Sequence, residues 1–396
     1  MTSRVSGFTA LTLGVALVAV AVLLPSFLLP RLKVIPLDAG GKTVTREVDA
    51  TLLDSRAFGS REVLPEHAAN PVCEGDEVPV SCFIGHATPV YGNRSISVVE
   101  PADADVVTLR AGNVLMRTDR PEPDNIISAT VDTITLNRRT ALPVEEPVSS
   151  FHATSPRLGL DDMRNGFTRE GVQYQFPFDS DARSYPYFDT TAQEAQPIDF
   201  VDEEVLSGHG EVKVMRYHQQ VGPVNMFTAI SGVFNLDGEV SEHEKASLNA
   251  LRMTTPARDW YTPAELEERG LAPDERVTMT RYYANDRTVW VEPSTGVIVH
   301  GREYLNYFFA RDDDEARTMA QARFDDPDAA VNPNRTALAM TAEWNDATQD
   351  RQWAKALDGR SKLNLLGSVG WSVGIAGALL ILLGVWLLRR RPRSRP

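Results

Sequence analysis

Two cysteines in 396 residues, Cys73 and Cys82, are too few to staple a chain of this size, so a disulfide-dense scaffold is excluded. The motifs that usually announce a reaction are missing as well. There is no HExxH helix, no GxxxxGK[ST] phosphate loop and no GxGxxG fingerprint, which leaves metalloprotease, ATPase and dehydrogenase readings without support. The seven histidines, at 67, 86, 152, 209, 218, 243 and 300, are scattered and fit no metal-ligand spacing. We therefore expect no catalytic residue, no metal and no cofactor. Basic residues are the minority sign, 40 Lys plus Arg against 54 Asp plus Glu, and a nucleic-acid partner is correspondingly unexpected.

Charge is absent altogether from two blocks. Val5 to Pro30 and Leu363 to Leu388 are uncharged runs of 26 residues each, and about 20 helical residues suffice to cross a bilayer core. An Ala19-Val20-Ala21 triplet has the look of a signal-peptide cleavage site. Leu23, Leu24, Phe27, Leu28 and Leu29 continue the apolar run beyond it, which favours an uncleaved anchor. The arginines at 389, 390, 391, 393 and 395 orient the second span with its end in the cytoplasm, and two spans return Arg4 to the same side.

The expectation is an α+β membrane protein with a large β-rich extracytoplasmic domain between N- and C-terminal transmembrane helices. Its parts are a cytoplasmic N-terminus (1–6), transmembrane helix 1 (7–30), the extracytoplasmic domain (31–362), transmembrane helix 2 (363–388) and a cytoplasmic basic tail (389–396). Removing Arg4 and the five tail arginines leaves 34 basic against 54 acidic residues, so this outer domain carries a formal −20. Outside the cytoplasm Cys73 and Cys82 are expected to close a short disulfide loop.

Within the outer domain, short β segments are punctuated by Gly, Pro, Asn and Asp. Val106 to Arg110, Val114 to Thr118, Ile127 to Leu136 and Glu211 to Tyr217 read as strands. Thr288 to His300 reads as a hairpin around Pro293 and Gly296, its register left open. Helices are expected after Ser241 and Thr262, the latter stopped by Gly270, and over 313–324 and 336–350.

Six aromatics in fifteen residues, Tyr174, Phe176, Phe178, Tyr185, Tyr187 and Phe188, either line a groove for a lipid chain or sugar ring or form a core-packing loop. Gly370 and Gly374 form a GxxxG in the second span that permits close helix approach, with the first span of the same chain as the first-choice partner and a second protomer or another membrane protein as the alternative. Acidic pairs such as Asp161-Asp162, Glu203-Glu204 and the run Asp312 to Asp314 fit a solvated face better than a catalytic pair.

At Tyr174 to Asp189, at Glu203-Glu204-Val205 with Gly208, and at Val289 to Val299, the chain resembles the actinobacterial porin PorA family. The likeness covers nearly the whole length, both spans included. It implies a two-pass cell-envelope protein, and some members are linked to maturation of lipoglycans such as lipomannan. The layout of helix, β-rich outer domain, helix is also similar to that of the class B scavenger receptors, whose outer domain encloses a lipid tunnel.

From this follows the leading expectation, a non-enzymatic plasma-membrane protein whose outer domain binds or presents a lipid or lipoglycan. Its partners would be membrane lipids, lipoglycan or envelope-assembly proteins. The alternatives are a glycan-processing enzyme with a dispersed acidic site, and an oligomeric channel. The channel ranks last because two Leu-rich helices enclose no pore unless several chains assemble.

Overall fold

A computed structural model of the chain describes residues 2–75, 77–155, 160–206, 208, 211–234, 242–327 and 330–389. Its contacts divide the chain into a β body, Pro36–Trp353, and a helical unit made of the residues up to Ile35 and from Ala354 onward. The chain is α+β, with one large antiparallel sheet and two apolar helices near its termini. The helices are α1 (Thr2–Leu32), α2 (Ser55–Ser60), α3 (Met226–Phe234), α4 (Glu242–Leu251), α5 (Pro263–Arg269), α6 (Asp313–Asp325) and α7 (Asp346–Arg389). The strands are β1 (Gly41–Val44), β2 (Val48–Leu53), β3 (Ile84–Ala102), β4 (Val106–Arg117), β5 (Ile126–Asn137), β6 (Ser149–Ser155), β7 (Leu160–Phe167), β8 (Tyr185–Asp189), β9 (Glu194–Val205), β10 (Lys213–Asn225), β11 (Arg252–Pro256), β12 (Arg276–Glu292), β13 (Val297–Ala310) and β14 (Thr336–Glu343).

From edge to edge the sheet runs β7-β6-β5-β4-β3-β2-β14-β13-β12-β10-β9-β8, with β1 beside β3 and β11 beside β12. Most neighbours are consecutive in sequence, the cheap way to build an antiparallel sheet. The β2–β14 pairing, Leu52 opposite Leu338, joins the early and late halves into one body. The sheet curls until its ends meet: the Phe167 and Phe188 rings of β7 and β8 stack 6.5 Å apart, and Arg164 of β7 donates to Gln193 at 3.3 Å. Exposed strand residues such as Arg110, Asp199, Glu203 and Lys213 put charge on the outer face, which suits water and not acyl chains.

The β12–β13 hairpin pairs from Thr280 opposite Ala310 to Glu292 opposite Val297, with a bulge after Trp290 that answers the open question of register. As a result Val289, Val291 and Ile298 share one apolar cluster with Phe176, Tyr185, Tyr187 and Tyr217. At the turn, Gly296 has φ 70°, and a Cβ there would stand 2.0 Å from the Phe176 carbonyl oxygen. Only glycine fits. The turn holds the aromatic loop through Phe176 N–H to the Gly296 carbonyl at 2.9 Å and Ser180 N–H to the Pro293 carbonyl at 2.9 Å. Trp290 on the adjoining strand donates to Glu204 at 2.8 Å, so the three segments that carry the family resemblance converge at this end of the sheet.

A second cluster gathers Phe83, Trp260, Tyr261, Met279 and Phe309 around the Cys73–Cys82 disulfide. In α5, Thr262 and Glu265 form the reciprocal capping box, and Gly270 closes the helix with φ 63°. The expected strands at 106–110 and 114–118 are one, β4. The expected helix over 336–350 is corrected: 336–343 form β14, and α7 starts only at Asp346. Thr336-Ala337-Leu338-Ala339-Met340 has helix-favouring composition, but pairing on one side with β13 and on the other with β2 overrides that propensity. The expected cap at Ser241 lies outside the described residues.

Gly296→Ala should destabilise the β body by more than about 2 kcal/mol, because the left-handed φ and the Phe176 contact both oppose a methyl group. Thermal unfolding of the purified full chain in detergent checks this; an unchanged midpoint would contradict the clamp.

Candidate functional site

Phe176, Tyr185, Tyr187 and Phe188 are buried in the core, and Tyr174 and Phe178 are half-buried. Phe176 packs edge-on to Tyr185 at 5.4 Å and lies 4.9 Å from Tyr217, contacts internal to the β body. Tyr174 donates to Asp132 at 2.5 Å, while Arg169 forks onto both oxygens of Asp132 at 2.9 and 2.6 Å. Burial, then the neighbouring Asp132 charge, pushes the Tyr174 phenol well above its ordinary value, so it serves as a donor and not as a base. The passage is a packed plug over the hairpin turn, with no open aromatic groove.

In the helical unit the closest approach between α1 and α7 involves more glycines than the expected GxxxG. Gly374 meets Ala21, its Cβ site 3.3 Å from the Ala21 methyl, and Gly370 is buried. A Cβ on Gly14 would stand 2.7 Å from the Gly377 oxygen and from the Ile381 nitrogen, and one on Gly384 would stand 2.8 Å from the Gly7 oxygen. Sequence reasoning overlooked Gly7 and Gly384, although Gly7, Gly14 and Ala21 recur every seven residues, as do Gly377 and Gly384. The reading that no GxSxG nucleophile elbow occurs missed that Gly370-Trp371-Ser372-Val373-Gly374 spells GxSxG. That spelling carries no nucleophile elbow, since the segment is inside α7 and Ser372 donates to the Ser368 carbonyl at 2.9 Å, with no strand leading into it.

The acidic runs are used structurally. Asp312 caps α6 by accepting from Glu315 N–H at 3.0 Å, and Glu203 pairs with Lys213 at 2.9 Å. The Asp161 and Asp162 side chains lie outside the described residues. Among the described residues no group of His, Cys, Asp and Glu is arranged to hold a metal ion.

The sheet forms a partly open cavity of about 340 Å³, lined chiefly by β2 to β6, β12 to β14 and α3. Period-two alternation turns Arg281, Tyr283, Asn285 and Arg287 of β12 to the same face as Glu303, Leu305 and Tyr307 of β13. Arg287 donates to Asp189 at 2.8 Å, to Glu303 at 3.2 Å and to Gln219 at 2.8 Å, and Tyr283 donates to Asp189 at 3.1 Å. Burial opposes the Arg287 charge, but Glu303 and Asp189 outweigh it and hold the guanidinium well above its ordinary value. On the far wall Arg117 donates to Asp54 at 3.0 Å and to both oxygens of Asp119 at 2.6 Å, and Arg120 also pairs with Asp54.

Arg281 breaks this pattern. It lines the cavity, and among the described residues no carboxylate lies within ion-pair distance. Its one charge-sensitive neighbour is the Tyr307 ring, 5.3 Å from the guanidinium carbon. Such a ring contact supplies about 1 kcal/mol, against several kcal/mol for taking a cation out of water. Burial accordingly pulls the Arg281 guanidinium down to about 10.

The family model described as Porin PorA matches residues 6–386. The chain belongs to the porin PorA family. It is 41% identical over 389 residues to a protein named Porin PorA from Corynebacterium amycolatum, covering 96% of this chain and 97% of that one. A second Porin PorA, from Corynebacterium resistens, is 38% identical over 399 residues, covering 96% of each. These names overturn the expected lipid- or lipoglycan-presenting role, since a porin is by name a channel former. Placing the channel last weighed one chain's two helices alone, whereas the relatives carry the name porin. Family membership points to a channel protein and away from an enzyme.

Burial pushes the Asp54 and Glu303 carboxyls up, but Ala57 N–H with Arg120 and Arg117, and Arg287 with Arg94, outweigh it and hold both below the ordinary range. A carboxyl depressed in the folded state contributes its full stabilisation above the unfolded value near 4 and loses it as pH falls further. The melting temperature of the full chain should therefore be level from about pH 7 to 5 and drop below about pH 4. Asp54→Asn should flatten that drop and cost roughly 3 kcal/mol at neutral pH, because two arginines lose their partner. A wild-type acid slope in the variant would refute the assignment.

Proposed function

We propose that this protein is a non-enzymatic, channel-forming protein of the cell envelope that conducts only as an assembly of several chains. The observation that carries the reading is the end-to-end match to proteins named porins, which includes both apolar helices. The helices account for membrane placement: Val5–Leu32 and the apolar part of α7 are long enough to cross, and Leu23, Trp371, Leu379 and Leu382 present exposed apolar side chains suited to lipid or to another chain. Residues 7–30 and 363–388 span the plasma membrane, 31–362 lie outside, and 1–6 and 389–396 lie in the cytoplasm.

Oligomerisation follows from elementary geometry. One helix pair encloses no water, and the sheet cannot act as a lipid-facing barrel wall with charges such as Arg110 and Lys213 on its outer face.

Purified full-length protein reconstituted into planar bilayers should give discrete conductance steps, and crosslinking at the same protein-to-lipid ratio should give a defined multimer. Absence of steps from a crosslinkable multimer would sink the channel reading. A reporter fused after Pro396 should be protected in intact cells and one inserted in the β body should not; an accessible C-terminal reporter would invert the topology.

A further inference from the structure

The cavity of the β body contains more positive charge than its own residues neutralise. Arg117 is met by Asp54 and Asp119, and Glu303 is met by Arg287. Arg281 remains, and Arg94 acts on Glu303 only from beyond ion-pair distance. Arg94 gives its Nε to the neutral Asn113 at 2.5 Å, and among the described residues neither arginine has a carboxylate within ion-pair distance. Both line the cavity together with apolar side chains that include Leu115, Leu305, Ile230 and Trp344. At several interior guanidiniums this chain supplies the anion itself, as at Asp132 for Arg169 and Asp189 for Arg287. Arg94 and Arg281 are both half-buried, and a guanidinium with no carboxylate beside a largely apolar cavity points to a counter-charge that arrives from outside.

We infer that this cavity is a binding site for a compact organic anion, its carboxylate-type head paired with Arg281 and its apolar flank set against Leu305, Tyr307 and Leu115. Arg94 adds positive potential from the β3 wall. The volume of about 340 Å³ lies in the range of sites that hold small molecules. A planar guanidinium suits a carboxylate, whose two oxygens it can engage together. A bare inorganic anion would leave the apolar wall unused, and a neutral molecule of the same shape would leave Arg281 unpaired. The inference rests on the cavity alone and holds whether or not the assembled chains conduct.

The test uses the full chain in detergent and isothermal titration with phenylacetate, its neutral isostere phenylacetamide, and inorganic phosphate. Phenylacetate should bind at least tenfold more tightly than either of the others. Arg281→Met should weaken phenylacetate at least tenfold while its ligand-free melting temperature stays equal to or above wild type, since no carboxylate is orphaned by the change. Arg281→Lys, which keeps the charge but not the planar fork, should bind phenylacetate with an affinity between those of wild type and Arg281→Met. Equal binding of phenylacetate and phenylacetamide, binding of phosphate as tight as phenylacetate, undiminished affinity in Arg281→Met, or no binding at all would each overturn the site. A marked fall in the melting temperature of ligand-free Arg281→Met would also overturn it, because that result belongs to a residue already paired within the protein.

Discussion

A guanidinium removed from water must meet an anion, and the interior of the β body is organised by that constraint. Arg169 meets Asp132, Arg287 meets Asp189 and Glu303, Arg117 meets Asp54, and Arg335 meets Glu315. Each pair ties segments far apart in sequence: β5 to the loop before β8, the β8 end to β12 and β13, β4 to the α2 cap, and the start of β14 to α6. Hydrophobic burial supplies most of the stabilisation, but it is indifferent to register by comparison. A one-residue slip of β12 would turn Arg287 to the outer face and strand Asp189 and Glu303, so these pairs select one alignment of a long strand.

The parts of this architecture legible in the sequence are those governed by local chemistry. The uncharged runs, the α5 capping box with its Gly270 stop, and the Pro293 to Gly296 turn need only neighbouring residues, and each has the expected local form. Thr336 to Met340 misled because their own preference is helical while the strands on either side need a partner. Arg281, Glu303 and Asp189 gave no signal, being isolated residues in ordinary strand alternation that meet only when distant segments pair. The aromatic passage was conspicuous for the opposite reason: it is dense in sequence because it plugs a turn more than a hundred residues away.

Membership of the porin family and the composition of the chain are reconciled by separating the two units. The charged outer face of the sheet belongs in water, and the uncharged helices belong in lipid. A single helix pair encloses no pore, and the charged outer face of the sheet does not suit acyl chains.

The glycine seam between α1 and α7 has a further consequence. Where Gly14 faces Gly377 and Gly7 faces Gly384, main chain lies on main chain with no side chain between them, and a file of water molecules has nowhere to run within one helix pair. In the assembly proposed above, an aqueous path among the helices runs between neighbouring copies. The bore would then be set by subunit number, much as the width of a staved cask is set by its count of staves, and not by any residue along the seam.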